Sequence, residues 1–377
     1  MRNRKPRTEI ALALALALAL MPLPARGSGE PGIRAEAAVV AELETGRILY
    51  EKDPDKPMKA ASTVKILTAL VALEHLDPAM EVTVRPEWTG LEGSSMYLEP
   101  GEKCTVEDLL RGLLLVSGND AAQALACLTA GSAEAFAALM NEKAAALGMT
   151  GSRFVDPSGL RAEGHSVTAR DMAKLTCAAM EDPRFRAIVA SRSAAAAGRT
   201  LQNHNKLLWR YEGAIGVKTG YTRAAGRTLV SCAEREGLTL VCVTLNDPDD
   251  WEDHAALLDW GFENYRRVPA GSLRWSLEVV GGLAPRVEAL PGTDSLLLPR
   301  EGVRWEVRLP PFVYAPVAAG AQAGRLRCLD GEGRLLADVP LICASAVEAD
   351  PAQSLGFGEK LLRYWLLACR RGMPEIT

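Results

Sequence analysis

Apolar residues change their spacing several times along the chain, and each change predicts an element. Ala37–Leu43 is almost continuously apolar, meets the turn Glu44-Thr45-Gly46 and returns through Arg47–Glu51, which predicts a hairpin over 36–52. Residues 61–75 follow a helical period, with Ile66, Leu67, Leu70, Val71 and Leu73 on the apolar side. Residues 106–130 read as helix on both sides of a break at Ser117-Gly118-Asn119, and another helix runs over 133–147 to a stop at Gly148. After a loop at Asp156-Pro157-Ser158-Gly159-Leu160, a helix is predicted over 169–180. Strand patterns return at 213–219, 228–233 and 238–245, the last two joined by the turn Glu234–Gly237, and 251–265 closes this part as a helix. Strands, then helices, then strands and a final helix suit an antiparallel sheet with helices packed on it, an α/β (α+β) class without regular βαβ repeats.

From about Pro269 the texture changes. Short strand-like runs at 273–279, 295–298, 303–309, 324–329 and 334–341 are broken by Pro and Gly, which predicts a small all-β domain. Residues 357–371 turn helical again, with Leu361, Leu362, Trp365, Leu366 and Ala368 apolar and Lys360, Arg363, Arg370 and Arg371 basic. Such a helix suits either a membrane surface or docking on its own domain. At the other end, Arg2, Arg4, Lys5 and Arg7 precede an apolar run from Ile10 to Met21 and the small residue Ala25, the layout of a secretory signal peptide. Roughly twelve apolar residues are too few to span ~30 Å of hydrocarbon as a helix. The expected division is therefore 1–25 signal peptide, 28–268 catalytic domain, 269–348 β-rich domain and 350–377 amphipathic tail.

Composition narrows the classes. Hydrophobic residues make up 48% and charged residues 24% of the 377, ordinary globular usage. The formal net charge is −4, and without residues 1–25 the chain keeps 39 basic and 46 acidic residues, a net −7. No basic excess exists to attract nucleic acid. The eight cysteines form no C-x-x-C pair and sit mostly in apolar stretches, as small buried hydrophobes rather than zinc ligands or a disulfide framework. Cys232 and Cys242 alone are spaced to face each other across a hairpin. No cofactor and no metal are expected.

Three short motifs carry candidate chemistry. Ser62-Thr63-Val64-Lys65 opens the first strong helix, where positions i and i+3 share a face, so Lys65 can reach the Ser62 hydroxyl. Serine is a poor nucleophile until a base takes its proton, and lysine is that base only when neutral, so its pKa must fall from ~10.4. Taken alone the pair is as well read as a helix cap beside a solvated lysine, since such spacing arises by chance about once in a chain this long. Ser117-Gly118-Asn119 sits between helices, where these residue types are common for backbone reasons. Its functional reading makes Ser117 a proton relay and Asn119 an anchor for the substrate backbone. Lys218-Thr219-Gly220 ends a strand, where an edge can bind an extended peptide and Lys218 and Thr219 can hold a terminal carboxylate. In this order, 55 and 101 residues apart, the three match the set known from class A β-lactamases and penicillin-binding proteins, with Gly118 where Asp is usual.

Around these motifs the sequence resembles the low-molecular-mass penicillin-binding proteins, specifically the D-alanyl-D-alanine carboxypeptidases of peptidase family S11. The likeness rests on AASTVKILTAL around Ser62, LLLVSGNDAAQALA around Ser117, FVDPSGL at 154–160, GHSVTARDMAKL at 164–175, NHNKLL at 203–208 and GVKTGYT at 216–222. Tyr221 after the glycine looks like the sporulating Gram-positive branch. The resemblance implies a β-lactamase/transpeptidase-like fold with helices on both sides of the sheet and a β-rich C-terminal domain. It implies removal of the terminal D-alanine from peptidoglycan stem pentapeptides through a Ser62 acyl-enzyme, with Lys65 as general base and Ser117 as relay. Asn119, Lys218, Thr219 and Gly220 would bind substrate, backbone N–H groups of Ser62 and Tyr221 would form the oxyanion hole, and β-lactams would inhibit by acylating Ser62. It also implies export and peripheral membrane contact through the C-terminal helix. His204 stands where enterobacterial relatives have arginine, and Tyr221 where they have histidine. His165 and Asp171 lie in a recurring family segment near the site, but read better as a loop histidine and a helix-start aspartate.

Two rivals remain at this stage. A serine β-lactamase needs a base for the deacylating water and a compact single domain. A non-catalytic wall-binding relative would keep the fold without the chemistry.

Overall fold

The computed structural model describes residues 29–161 and 163–351, together with 356, 358, 359, 361, 362 and 365. The predicted signal peptide and most of the predicted C-terminal helix lie outside the described residues. The body considered below begins at Ile33.

A five-stranded antiparallel sheet organises the first part of the chain. Its strands are β1 (Ala37–Glu42), β2 (Ile48–Lys52), β3 (Ala214–Thr222), β4 (Gly226–Arg235) and β5 (Leu238–Leu245), in the order β2-β1-β5-β4-β3. Both β1 and β5 are buried along their whole length, which is why their sequences are apolar runs rather than alternations. Val39, Val241 and Val243 enter one core, whereas Val40, Leu240 and Cys242 enter another on the opposite face. The hairpin turn after β1 is tied by the buried Glu42 carboxylate, which accepts from Glu44 N at 3.1 Å and Thr45 N at 2.8 Å.

Helices cover both faces: α1 (Lys65–His75), α2 (Val106–Leu115), α3 (Asn119–Ala130), α4 (Ala133–Ala146), α5 (Ala169–Glu181), α6 (Pro183–Ala190), α7 (Leu207–Arg210) and α8 (Asp250–Asn264). Of these, α5 packs on one face of the sheet and α8 on the other. Their ends obey local chemistry. Thr105 and Asp108 form a reciprocal capping box at the start of α2, Gly131 in the left-handed region ends α3, and Ser132 caps α4. The periodicity missed α6, α7 and the hairpin Ser193–Ala196/Arg199–Gln202, because elements of four to eight residues are too short to show a clear period.

The β-rich part contains β6 (Tyr265–Pro269), β7 (Trp275–Val280), β8 (Arg286–Pro291), β9 (Ser295–Pro299), β10 (Arg304–Arg308), β11 (Phe312–Tyr314), β12 (Gln322–Leu329) and β13 (Leu335–Cys343). Six of them form one sheet in the order β10-β12-β13-β8-β7-β11, while β6 pairs with β9. Strands β6, β8 and β11 are additional to the predicted runs: β6 follows directly on α8, β8 ends on Pro291, and β11 is only three residues long. Leu277, Val287, Leu298, Leu326 and Leu341 form its core. Arg267 on β6 reaches back to Glu42 at 3.0 Å and to Glu44, fastening this part to the first hairpin.

The thiol pairing allowed by the sequence is absent. Ser231, not Cys232, stands opposite Cys242, so the two thiols point to opposite faces of the sheet; both are free.

Candidate active site

Three segments meet at Ser62. A 3₁₀ turn, Ala61–Val64, precedes α1 and carries the serine, with Ala61 held at φ +47°. Several contacts hold this non-glycine residue in its sparsely populated region. Ala60 O accepts from Thr63 Oγ1 at 2.7 Å and from Thr228 Oγ1 of β4 at 3.0 Å, so the turn is tied to the sheet. On the other side the Asp156–Leu160 loop closes on it. A Cβ at Gly159, itself at φ +80°, would stand 2.0 Å from Ala61 O, so only glycine fits. Thr68 Oγ1 donates to Pro157 O at 2.6 Å and fixes the same loop one turn further along α1.

Lys65 lies fully buried beneath the serine. Its Nζ donates to Ser62 Oγ at 3.1 Å, to Asn119 Oδ1 at 2.7 Å and to Ser158 O at 2.9 Å. Burial pushes its pKa down to about 7, against the opposing pull of the Asp156 and Asp120 carboxylates. That is the neutral amine the motif requires, produced by desolvation and not by a neighbouring cation.

Val116 ends α2, and Ser117 follows in the left-handed region at φ +63°. Its hydroxyl is buried and makes no hydrogen bond among the described residues. Gly118 N donates back to Gly112 O at 2.9 Å. A side chain at 118 would meet Asp120 Oδ1 at 2.6 Å and Met96 N at 3.2 Å, which accounts for glycine where the motif usually has Asp. Asn119 is engaged at both ends: Oδ1 accepts from Lys65, and Nδ2 donates to Glu92 O at 2.6 Å. The second Nδ2 hydrogen is left for a substrate carbonyl.

On the sheet edge, Lys218 is 1% exposed, and its Nζ donates to Thr219 O at 2.8 Å. Burial, reinforced by the charge of Lys65, holds its pKa well below the usual lysine value. Thr219 is half-buried, and Tyr221 is 67% exposed at the rim. Gly220 passes so close to the nucleophile that a Cβ there would lie 3.0 Å from Ser62 N and 2.4 Å from Thr228 Oγ1.

Two carboxylates escaped the sequence reading. Asp120 accepts from Ser95 Oγ at 2.6 Å, Met96 N at 3.1 Å and Leu98 N at 3.1 Å, which staples the 92–98 loop over the Ser117–Asn119 corner. Asp156 accepts from Ser158 N and Oγ, Gly159 N and Arg161 N. Burial disfavours its charge, but the His165 contact and these donors win and hold it well below the usual carboxylate range. Both follow directly on motif or loop residues, and that adjacency was the available signal. His165 Nδ1 stands 3.5 Å from Asp156 Oδ2, longer than a good hydrogen bond. Asp171 accepts from Gly151 N and Ser152 Oγ at the start of α5, a structural role. Among the described residues, no group of three or more His, Cys, Asp or Glu side chains is placed to hold a metal ion.

Residues 25–249 match the peptidase S11 family, described as D-alanyl-D-alanine carboxypeptidase. The chain is 41% identical to D-alanyl-D-alanine carboxypeptidase DacB2 of Mycobacterium tuberculosis, over 63% of this chain and 86% of that protein. It is 30% identical to D-alanyl-D-alanine carboxypeptidase DacF of Bacillus subtilis, over 81% and 84% respectively. The crystal structure of penicillin-binding protein 5 from Haemophilus influenzae superposes with a TM-score of 0.68 at 27% identity, covering 85% of this chain and 99% of that one.

Proposed function

The chain belongs to the D-alanyl-D-alanine carboxypeptidase family of serine peptidases, S11, and on that premise we propose how its own residues run the reaction. It is a penicillin-binding hydrolase of cell-wall metabolism that removes the terminal D-alanine from peptidoglycan stem peptides. Neutral Lys65 takes the proton of Ser62, and Ser62 Oγ attacks the carbonyl between the two D-alanines. Backbone N–H groups of Ser62 and Tyr221 receive the developing oxyanion; the bare Cα of Gly220 leaves that space open. Ser117, whose hydroxyl has no partner among the described residues, passes a proton to the departing amine. Water then cleaves the Ser62 ester with Lys65 again as base. Lys218 and Thr219 hold the terminal carboxylate, whose arrival offsets the burial that keeps Lys218 from charging.

One observation carries this reading: a buried lysine with its pKa near 7 hydrogen-bonded to the serine three residues earlier. The β-lactamase alternative needs a free carboxylate for the deacylating water, and the loop carboxylate of Asp156 already accepts from Ser158, Gly159 and Arg161. By the same reading residues 1–25 direct export, and the enzyme works outside the cytoplasmic membrane with its C-terminal helix on the membrane surface. In support, the described tail residues Leu361, Leu362 and Trp365 are each more than half exposed.

One experiment tests both halves. Cells producing the protein are treated with fluorescent penicillin, fractionated, and the labelled peptide mapped. The expected label is on Ser62, in the membrane fraction, absent from Ser62→Ala and soluble after deletion of 350–377. Label on another residue sinks the site assignment; sedimentation unchanged by the deletion sinks the membrane contact.

A further inference from the structure

Exposed apolar side chains are unevenly placed on the catalytic part. Between residues 33 and 264, the described large apolar side chains at 38% exposure or more are Leu91, Tyr97, Leu160, Trp209 and Tyr221. All five stand on segments tied to the site. Leu91 and Leu160 line a cavity of about 220 Å³ together with Asn119 and Ser158. Trp209 lines another with Val116, the residue before Ser117, and Tyr221 follows Gly220, which passes Ser62 N. Tyr97 lies on the 92–98 loop that Asp120 staples beside Asn119. Single exposed apolar residues are ordinary on a protein surface, but five confined to one rim mark a place where a ligand larger than the cleft rests.

Tyr97 is the clearest member of this rim. It is 78% exposed, more than any other large apolar side chain among the described residues. Its backbone sits in the left-handed region at φ +63°, which glycine or asparagine adopts readily and tyrosine does not. The conformation is imposed from both sides. Met96 N and Leu98 N donate to the Asp120 carboxylate and their side chains are buried, so Tyr97 between them is turned outward. Tyr97 N donates to Ser95 Oγ at 2.8 Å, and its carbonyl accepts from Arg199, which Glu102 holds in turn. A residue in such a conformation persists where its surroundings over-determine it, and positions of this kind gather at ligand clamps.

We propose that Tyr97 is a docking platform for the glycan strand that carries the stem peptide, its ring lying against the face of an amino sugar. The inference rests on the carboxypeptidase reading and extends it from the peptide end to the polymer. An amino sugar presents a face of C–H bonds edged by hydroxyl and amide groups. Tyrosine is its complement, apolar across the ring and polar at the tip, with few torsions to freeze on binding. The peptide itself is held by Asn119 and the 218–221 strand, so a platform on the loop is left for the polymer it hangs from. Charge favours the same ligand. Residues 91–102 include Glu92, Glu99 and Glu102 and no lysine or arginine, so the loop suits a neutral polymer and repels an anionic membrane surface.

The test compares D-alanine release by the purified full chain from three donors: glycan chains bearing uncross-linked pentapeptides, the same pentapeptide cut from its glycan, and diacetyl-Lys-D-Ala-D-Ala. Tyr97→Asn removes the ring and suits the left-handed backbone, so its melting temperature should equal or exceed the parent's. It is expected to lower kcat/KM on the glycan-borne peptide fivefold or more, through KM, and to leave both free peptides within twofold. Tyr97→Phe keeps the ring and should stay within twofold of the parent on all three. Unchanged kcat/KM on the glycan-borne donor in Tyr97→Asn would overturn the proposal. An equal loss on the free pentapeptide would overturn it too, by placing the ring against the peptide. No D-alanine release by the parent from any donor, with no penicillin labelling, would instead overturn the carboxypeptidase reading, and this inference with it.

Discussion

The two parts of the molecule treat charge in opposite ways. Between residues 33 and 264 the interior holds Lys65, Lys218, Glu42, Asp120, Asp156, Asp171, Asp247, Asp253, His165 and His254 at 7% exposure or less. Among the described residues from 265 onward no charged side chain is buried to that degree, and the core is apolar throughout. There the ion pairs run along the surface, as with Arg325 and Asp338 at 2.8 Å and Arg327 and Glu306 at 3.4 Å. A buried charge costs several kcal/mol of desolvation unless partners repay it, whereas a surface pair is worth ~0–1 kcal/mol. The β-rich sheet folds by alternation alone. The catalytic part keeps costly groups because its reaction needs a lysine that water cannot reach.

Three perturbations probe this contrast. The largest effect falls on Lys65. As its neutral fraction grows, kcat/KM for D-alanine release rises with pH and levels off above about pH 7. Lys65→Arg keeps a cation but cannot surrender its proton, so acylation should fall ~10²–10⁴-fold and the ascending limb should vanish. An unaltered pH profile in that variant would break the comparison at its root.

Next comes the apolar core of the other part. Leu326→Ala removes a fully buried side chain from β12 and should lower stability by about 2–4 kcal/mol, read from denaturant unfolding, with kcat unchanged within twofold. A loss of kcat in folded protein would show that the β-rich part does more than support.

The smallest effect separates buried charge used by the reaction from buried charge that is not. Asp247 is 0% exposed, its N donates to Arg227 O at 2.9 Å, and its pKa is pushed up to about 7 by burial and then by Asp253. Its folded state thus holds a proton that the unfolded chain, titrating near ~3.9, has released. Stability from this group is full below pH 4 and is lost as pH rises through about 7. Asp247→Asn should flatten that decline, so its melting temperature at pH 8 exceeds the parent's while the two match near pH 4. Parallel melting curves across this range would place the proton elsewhere.

Much of this arrangement was legible in the residues themselves. Apolar runs located β1 and β5, the helical period found α1 to α5, and the serine-lysine, serine-asparagine and lysine-threonine-glycine motifs marked segments that the fold brings together around Ser62, because these signals are local. The turn at Glu44-Thr45-Gly46 and the break at Ser117 were equally local and equally readable. What spacing could not supply was environment. Lys65 has its pKa lowered to about 7 because the Asp156–Leu160 loop, 91 to 95 residues away in sequence, and Asn119 seal it from water. Gly118 departs from the motif because Met96 and Asp120 occupy its side-chain space. Cys232 and Cys242 stay apart because strand register, one residue off, turns them to opposite faces. Chain order fixes which groups exist, but desolvation and contact arise only when distant segments close on one another, and those set the chemistry.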